Sequence, residues 1–194
     1  MSLNFLIAPD FAPERFAGWH MLNTVLQKRS GESLHLLTPA SAAEQAELIA
    51  KGDVAAVYAN PFDAASMIRD AGYVAVARPL GKSDEMVMAT RADLTEADVQ
   101  WQLVESYQAA ARMTIKGEVD IGFFLAEAYN SLSRLTKTQL KPLMESKLAD
   151  ITHVLLIHPR IGASLDKLRD ALLGLAGTAD GQPALDELGI EQGF

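Results

Sequence analysis

The feature that most constrains this chain is a rhythm. Short apolar runs of four to six residues alternate with segments whose apolar residues recur at helical spacing. Asn4–Ala8 is such a run, stopped by Pro9-Asp10. Glu14–Gln27 follows with Phe16, Trp19, Leu22, Val25 and Leu26 on one helical face. Ser33–Leu37 reads as a second strand, Val54–Tyr58 as a third, Tyr73–Ala77 as a fourth and Glu85–Thr90 as a fifth. Between them, Ser41 stands three residues before Glu44, the signature of a capped helix start, and a helix follows Asn60-Pro61. Strands separated by helices of this length predict βαβ units and a parallel or mixed sheet, hence an α/β fold.

That architecture says where a ligand would sit, because open α/β sheets bind beyond the carboxyl ends of their strands. Here those ends are Pro9, Asp10 and Phe11, then Thr38–Ser41, then Asn60–Phe62. In Tyr58-Ala59-Asn60-Pro61-Phe62-Asp63 a strand ends in an aromatic and an amide just before a helix. Such a junction offers backbone N–H groups to an anion, or is simply a β-to-α turn.

After a polar stretch at Arg91–Thr95 the rhythm resumes. Gln100–Glu105 alternates like a strand, Tyr107–Lys116 reads as a helix and Val119–Phe124 as a strand, with a helix to about Arg134. Leu140–Met144 and Thr152–Ile157 are further strand candidates. Ser164–Leu175 is amphipathic through Leu165, Leu168, Ala171, Leu172 and Leu175, and Pro183–Leu188 is a last short helix. Lys51-Gly52-Asp53-Val54 echoes Lys116-Gly117-Glu118-Val119, as two lobes built on one local plan would, or as a shared helix-stop phrase would.

Composition excludes several function classes. A net charge of −8 without a basic stripe argues against nucleic acid; Lys28-Arg29 is an isolated pair at a helix end. With no cysteine there is no disulfide or thiolate metal site. No phosphate loop, dinucleotide fingerprint or nucleophile elbow is present, so the chain reads as a non-enzyme with no cofactor. His20 and His35 stand alone, and His153 and His158 are expected on opposite faces of one strand, so solvated or core-edge histidines are favoured over a metal site. Ser164-Leu165-Asp166-Lys167 is read as a helix cap at Ser164. Asp120 is an acid in an otherwise apolar run and needs a partner, either a structural salt bridge or a ligand amine or hydroxyl. The N-terminus lacks a basic start and a long apolar run. The expectation is a cytoplasmic protein as the chain stands, periplasmic where an export signal has been removed.

Taken together, Pro9-Asp10-Phe11-Ala12-Pro13-Glu14, Gly31–Leu36, Gly52–Pro61, Gly117-Glu118-Val119-Asp120-Ile121-Gly122 and Gly181–Ile190 resemble, in order, the periplasmic binding proteins of phosphonate, phosphite and phosphate ABC transporters. The resemblance implies a type II periplasmic-binding-protein fold, with two α/β lobes that close on ligand by a hinge. It implies a first lobe at 1–90, a second at 91–150, and a return strand with C-terminal helices at 151–194. It also implies that Tyr58 is a cleft aromatic and Asp120 the acid that meets a ligand amine. With Pro9, Asp10, Phe11, Ser41 and Asn60 these form the expected ligand-binding set. The second lobe looks reduced: only Thr95–Val99 stands where the family has an oxyanion-gripping loop and helix. A second copy of the chain would then cover the exposed sheet edge, and an exported form would meet a transporter permease. The function the resemblance implies is a solute-binding protein for a phosphonate- or phosphate-like oxyanion, or a cytoplasmic sensor derived from one; two other readings of this fold are an enzyme of the menaquinone or thiamine-precursor type and the effector-binding half of a LysR-like regulator.

Overall fold

The continuous apolar runs become strands because helices cover both of their faces. The computed structural model describes residues 2–10, 15–92, 102–146 and 151–194. The chain divides into two compact units, Met1–Lys82 with Thr152–Phe194, and Ser83–Ile151.

The first unit is built on β1 (Leu3–Ile7), β2 (Leu34–Leu37), β3 (Val54–Ala59), β4 (Val74–Ala77) and β8 (Val154–Ile157). Their order is β2-β1-β3-β8-β4. β1 runs parallel to β2 and β3, while β8 runs antiparallel to β3 and β4, so the sheet is mixed. All six residues of β3 are buried. Alternate residues serve opposite faces. Phe5, Ile7, Tyr58, Leu155 and Ile157 join one core with Trp19 and Leu22 of α1 (Phe16–Ser30), Leu168 and Leu172 of α7 (Ser164–Leu173) and Leu185 of α8 (Gln182–Leu188). Leu6, Val57, Ala59 and Leu156 join a second core. There they meet Ala64 and Met67 of α3 (Pro61–Ala71) and Leu48 and Ile49 of α2 (Ala42–Ala50). Each fully buried Leu, Ile or Phe contributes about 1.5–3 kcal/mol. Arg29 of the basic pair is structural: it pairs with Asp180 and donates to the Gly174 carbonyl (2.8 Å).

The second unit holds β5 (Met86–Arg91), α4 (Tyr107–Lys116), β6 (Ile121–Leu125), α5 (Ala126–Ser131), α6 (Arg134–Thr138) and β7 (Leu140–Glu145). Its sheet is β6-β5-β7, antiparallel at both pairings. Val87, Ala89, Phe124 and Leu140 face Ala110, Ala111, Tyr129 and Leu132 in one core.

Several sequence expectations change. Residues 102–105 form no strand, while 100 and 101 lie outside the described residues. Val104 instead packs against the second unit's core just ahead of Ser106, whose Oγ caps α4 through Ala109 N (3.1 Å). The helix expected to run to Arg134 breaks at Leu132, which turns into the core while Ser133 caps α6. Ser164 is not a cap: α7 starts from Ala163, with no side-chain cap hydrogen bond. The Lys-Gly echo is a helix stop ahead of a strand in each of the two units. Gly52 and Gly117 both adopt left-handed φ (74° and 72°), a conformation that penalises a Cβ. The strands that follow differ: β3 is central in a mixed sheet and β6 is an edge.

Candidate functional site

β1 and β3 are parallel neighbours, so Asp10 and Asn60 leave the sheet at the same end. β8 runs the other way, with Val154 opposite Ala59. His153, one residue before β8, therefore arrives at that same end. Three segments far apart in sequence converge there.

Their side chains form a continuous polar chain. His153 Nε2 lies 3.3 Å from Asp10 Oδ2. Asn60 Nδ2 donates to the same Asp10 oxygen (3.3 Å) and to Asp63 Oδ2 (3.0 Å). Gln45 Nε2 of α2 donates to Asp63 Oδ2 (2.7 Å). Beneath them the Tyr58 ring stacks on the His153 imidazole, with centroids 5.4 Å apart and planes 17° apart. Tyr58 is itself held by Trp19 at 4.8 Å and by the edge of Phe194 at 6.2 Å.

Exposure assigns the roles. Tyr58 is 3% exposed and His153 6%, so Tyr58 is a platform. The Asp10 side chain is 28% exposed and reaches solvent. Burial pushes the Asp10 carboxyl up. The hydrogen bond and charge of His153, its own backbone N–H and Asn60 outweigh this, and the net value lies below the ordinary 3.8. Asp10 is thus an ionised carboxylate flanked by two donors.

The helix starts nearby are already capped. Asn60 Oδ1 accepts from Phe62 N (3.1 Å) and Asp63 N (3.0 Å). Ser41 Oγ accepts from Glu44 N (3.2 Å), and Glu44 Oε2 accepts from Ala40 N (2.7 Å). The two Asn60 amide hydrogens are likewise taken, by Asp10 and Asp63.

Of the expected set, Pro9, Asp10, Tyr58 and Asn60 stand together, and Ser41 joins through its helix and Gln45. Phe11 lies outside the described residues. Asp120 belongs to the second unit. It is exposed one residue before β6, and its carbonyl accepts from Thr90 Oγ1. It therefore lies outside the apolar run, and solvent relieves the need for a buried partner. His153, Asp63 and Gln45 escape sequence reasoning. His153 and His158 flank β8 at opposite ends instead of sharing it, and His158 Nδ1 accepts from Arg160 N (3.1 Å). Among the described residues no three His, Asp or Glu side chains gather to hold a metal.

Residues 5–95 and 94–194 match the family model for ABC transporter, phosphonate, periplasmic substrate-binding protein. A search of curated proteins finds no match. Among solved structures, PhnD1 from Prochlorococcus marinus in complex with methylphosphonate is 10% identical, with a TM-score of 0.81 over 100% of this chain and 92% of that one. A binding protein component of an ABC phosphonate transporter from Pseudomonas aeruginosa is 13% identical, with a TM-score of 0.77 over 100% and 81%. A Xanthomonas citri protein bound to ATP is 13% identical, with a TM-score of 0.75 over 99% and 89%. At these identities the likeness is one of fold, that of the type II periplasmic binding proteins.

Proposed function

The chain belongs to the phosphonate ABC-transporter family of periplasmic substrate-binding proteins, and from that premise we propose that it binds a phosphonate-like oxyanion at the strand ends of its first unit. The family is one of solute-binding proteins, so the enzyme and regulator readings give way. The observation that carries the proposal is the convergence of Asp10, Asn60 and His153 over Tyr58. The Asn60 amide and His153 hold the Asp10 carboxylate at the strand ends, and Pro9 directly precedes it in the chain. Ser41 marks the neighbouring helix start.

The test is a thermal-shift and calorimetric titration with methylphosphonate, phosphate and sulfate. Ligand at 100 times its dissociation constant stabilises by roughly 2.7 kcal/mol. A rise in Tm that Asp10→Asn alters supports the site; no rise with any of the three overturns the reading.

The family is periplasmic and works with ABC transporter permeases. Among the described residues no helix is long and apolar enough to cross a membrane. A homodimer is the further proposal on partners. Its support is β7, an edge strand with five of six residues exposed, Leu143 and Met144 among them. Light scattering at tens of micromolar should give a dimer mass, and a monomer mass would end that proposal.

A further inference from the structure

The site as proposed contains one imidazole, that of His153, set against the Asp10 carboxylate. From its position we infer that His153 sets the charge of the binding site: protonated, it neutralises Asp10 and admits an oxyanion; deprotonated, it leaves Asp10 to repel one. This inference rests on the reading of the first unit as an oxyanion site.

The geometry carries the argument. His153 touches Asp10 through Nε2 at 3.3 Å and lies flat on Tyr58. Its charged form therefore meets an anion on one side and an aromatic face on another, and both attract a cation. The pair carries no net charge when the imidazole is protonated and one negative charge when it is not. A free histidine makes this change near pH 6.5. The groups around it do not repeat the change. Asp10, from the end of β1, stays ionised because its carboxyl lies below the ordinary aspartate value. Tyr58 comes from β3, and Asp63 of α3, which accepts from the same Asn60 amide as Asp10, adds a second carboxylate to the site whichever state His153 is in. On the β4 side, Arg78 follows Ala77, the partner of Leu155. Arginine keeps its charge throughout.

At an effective dielectric of about 40 and a distance of roughly 6 Å, one unit of charge changes an anion's affinity about tenfold. The sign follows directly. Affinity for an oxyanion is greatest at low pH, with His153 charged, and falls as pH rises through the histidine titration.

The experiment is calorimetric titration of methylphosphonate into the full chain and into His153→Gln, at pH 5.5 and pH 8. The ligand's own ionisation is common to both proteins and cancels in the ratio of their affinities. The two should bind equally at pH 8, and the wild type about tenfold more tightly at pH 5.5. A ratio that does not change with pH, with binding intact, overturns the role of His153 and leaves the oxyanion site standing. No binding by the wild type at either pH overturns the site and this inference together. Because His153 is buried, a second measurement uses the wild type alone. By linkage, saturating methylphosphonate should raise the His153 NMR titration midpoint by about one pH unit. An unmoved midpoint in the liganded protein overturns the inference without any variant.

Discussion

The two units use the same ingredients to different ends. In the first, β3 is buried along its whole length and neighbouring residues feed cores on both sides of the sheet. In the second, β6 alternates between buried and partly buried residues, and β7 buries only Leu140. The described residues of that unit form one core, on one face. Covering both faces makes strand ends into rigid mounts, and the polar chain from His153 to Gln45 stands on such mounts. A strand covered on one face leaves an edge that invites a partner.

This contrast can be broken by experiment, and the largest effect should come from the core. Leu156→Ala, in the fully buried middle of β8, should cost about 2–5 kcal/mol in urea unfolding. Leu143→Ala on β7, 43% exposed, should stay within about 0.5 kcal/mol. Comparable losses at both positions would mean that β7 is covered in solution.

The next effect should be the pH dependence at Asp10. Its folded pKa is depressed, so its contribution is present above the unfolded value and lost as pH falls through the folded one. The wild type should therefore exceed Asp10→Asn by roughly 1–2 kcal/mol near pH 6, the gap closing at pH values well below 3.8. A gap that persists at the lowest pH would show that the hydrogen bonds to His153 and Asn60 do not depend on the charge.

The glycine echo offers a finer comparison. Gly52→Ala meets open space and should cost only the left-handed backbone penalty, about 1 kcal/mol. Gly117→Ala should cost more, because its new Cβ would also run into the Arg91 guanidinium. Equal losses would mean that Arg91 swings away freely.

The smallest effect should come from the caps. Ser41→Ala and Ser106→Ala each remove one side-chain acceptor from a helix start and should cost about 1 kcal/mol or less. Hydrogen exchange should show each loss confined to its own helix, and spreading from α2 into β3 would show that the caps brace the sheet.

Local physics was written plainly in the chain. Apolar run length separated strands from helices, Ser41 and Asn60 announced two helix starts, and helix spacing picked out Trp19, Leu22, Leu168 and Leu172 as core. These depend on neighbours a few residues apart, where a linear pattern and a spatial one coincide. Gln100–Glu105 shows the limit. Alternation there is as good as in a true strand, but Val104 goes to a core and Leu103 to solvent.

The sequence by itself determined an α/β chain with Asp10 and Asn60 at strand ends, because those ends follow from where apolar runs stop. Tertiary structure alone decided that His153 would complete the site. Its partner Asp10 is 143 residues away, and nothing local to Thr152-His153-Val154 says which way the strand runs. Only the antiparallel insertion of β8 beside β3 brings the imidazole onto Tyr58 and against Asp10, because strand direction is settled by long-range pairing and not by the residues of the strand.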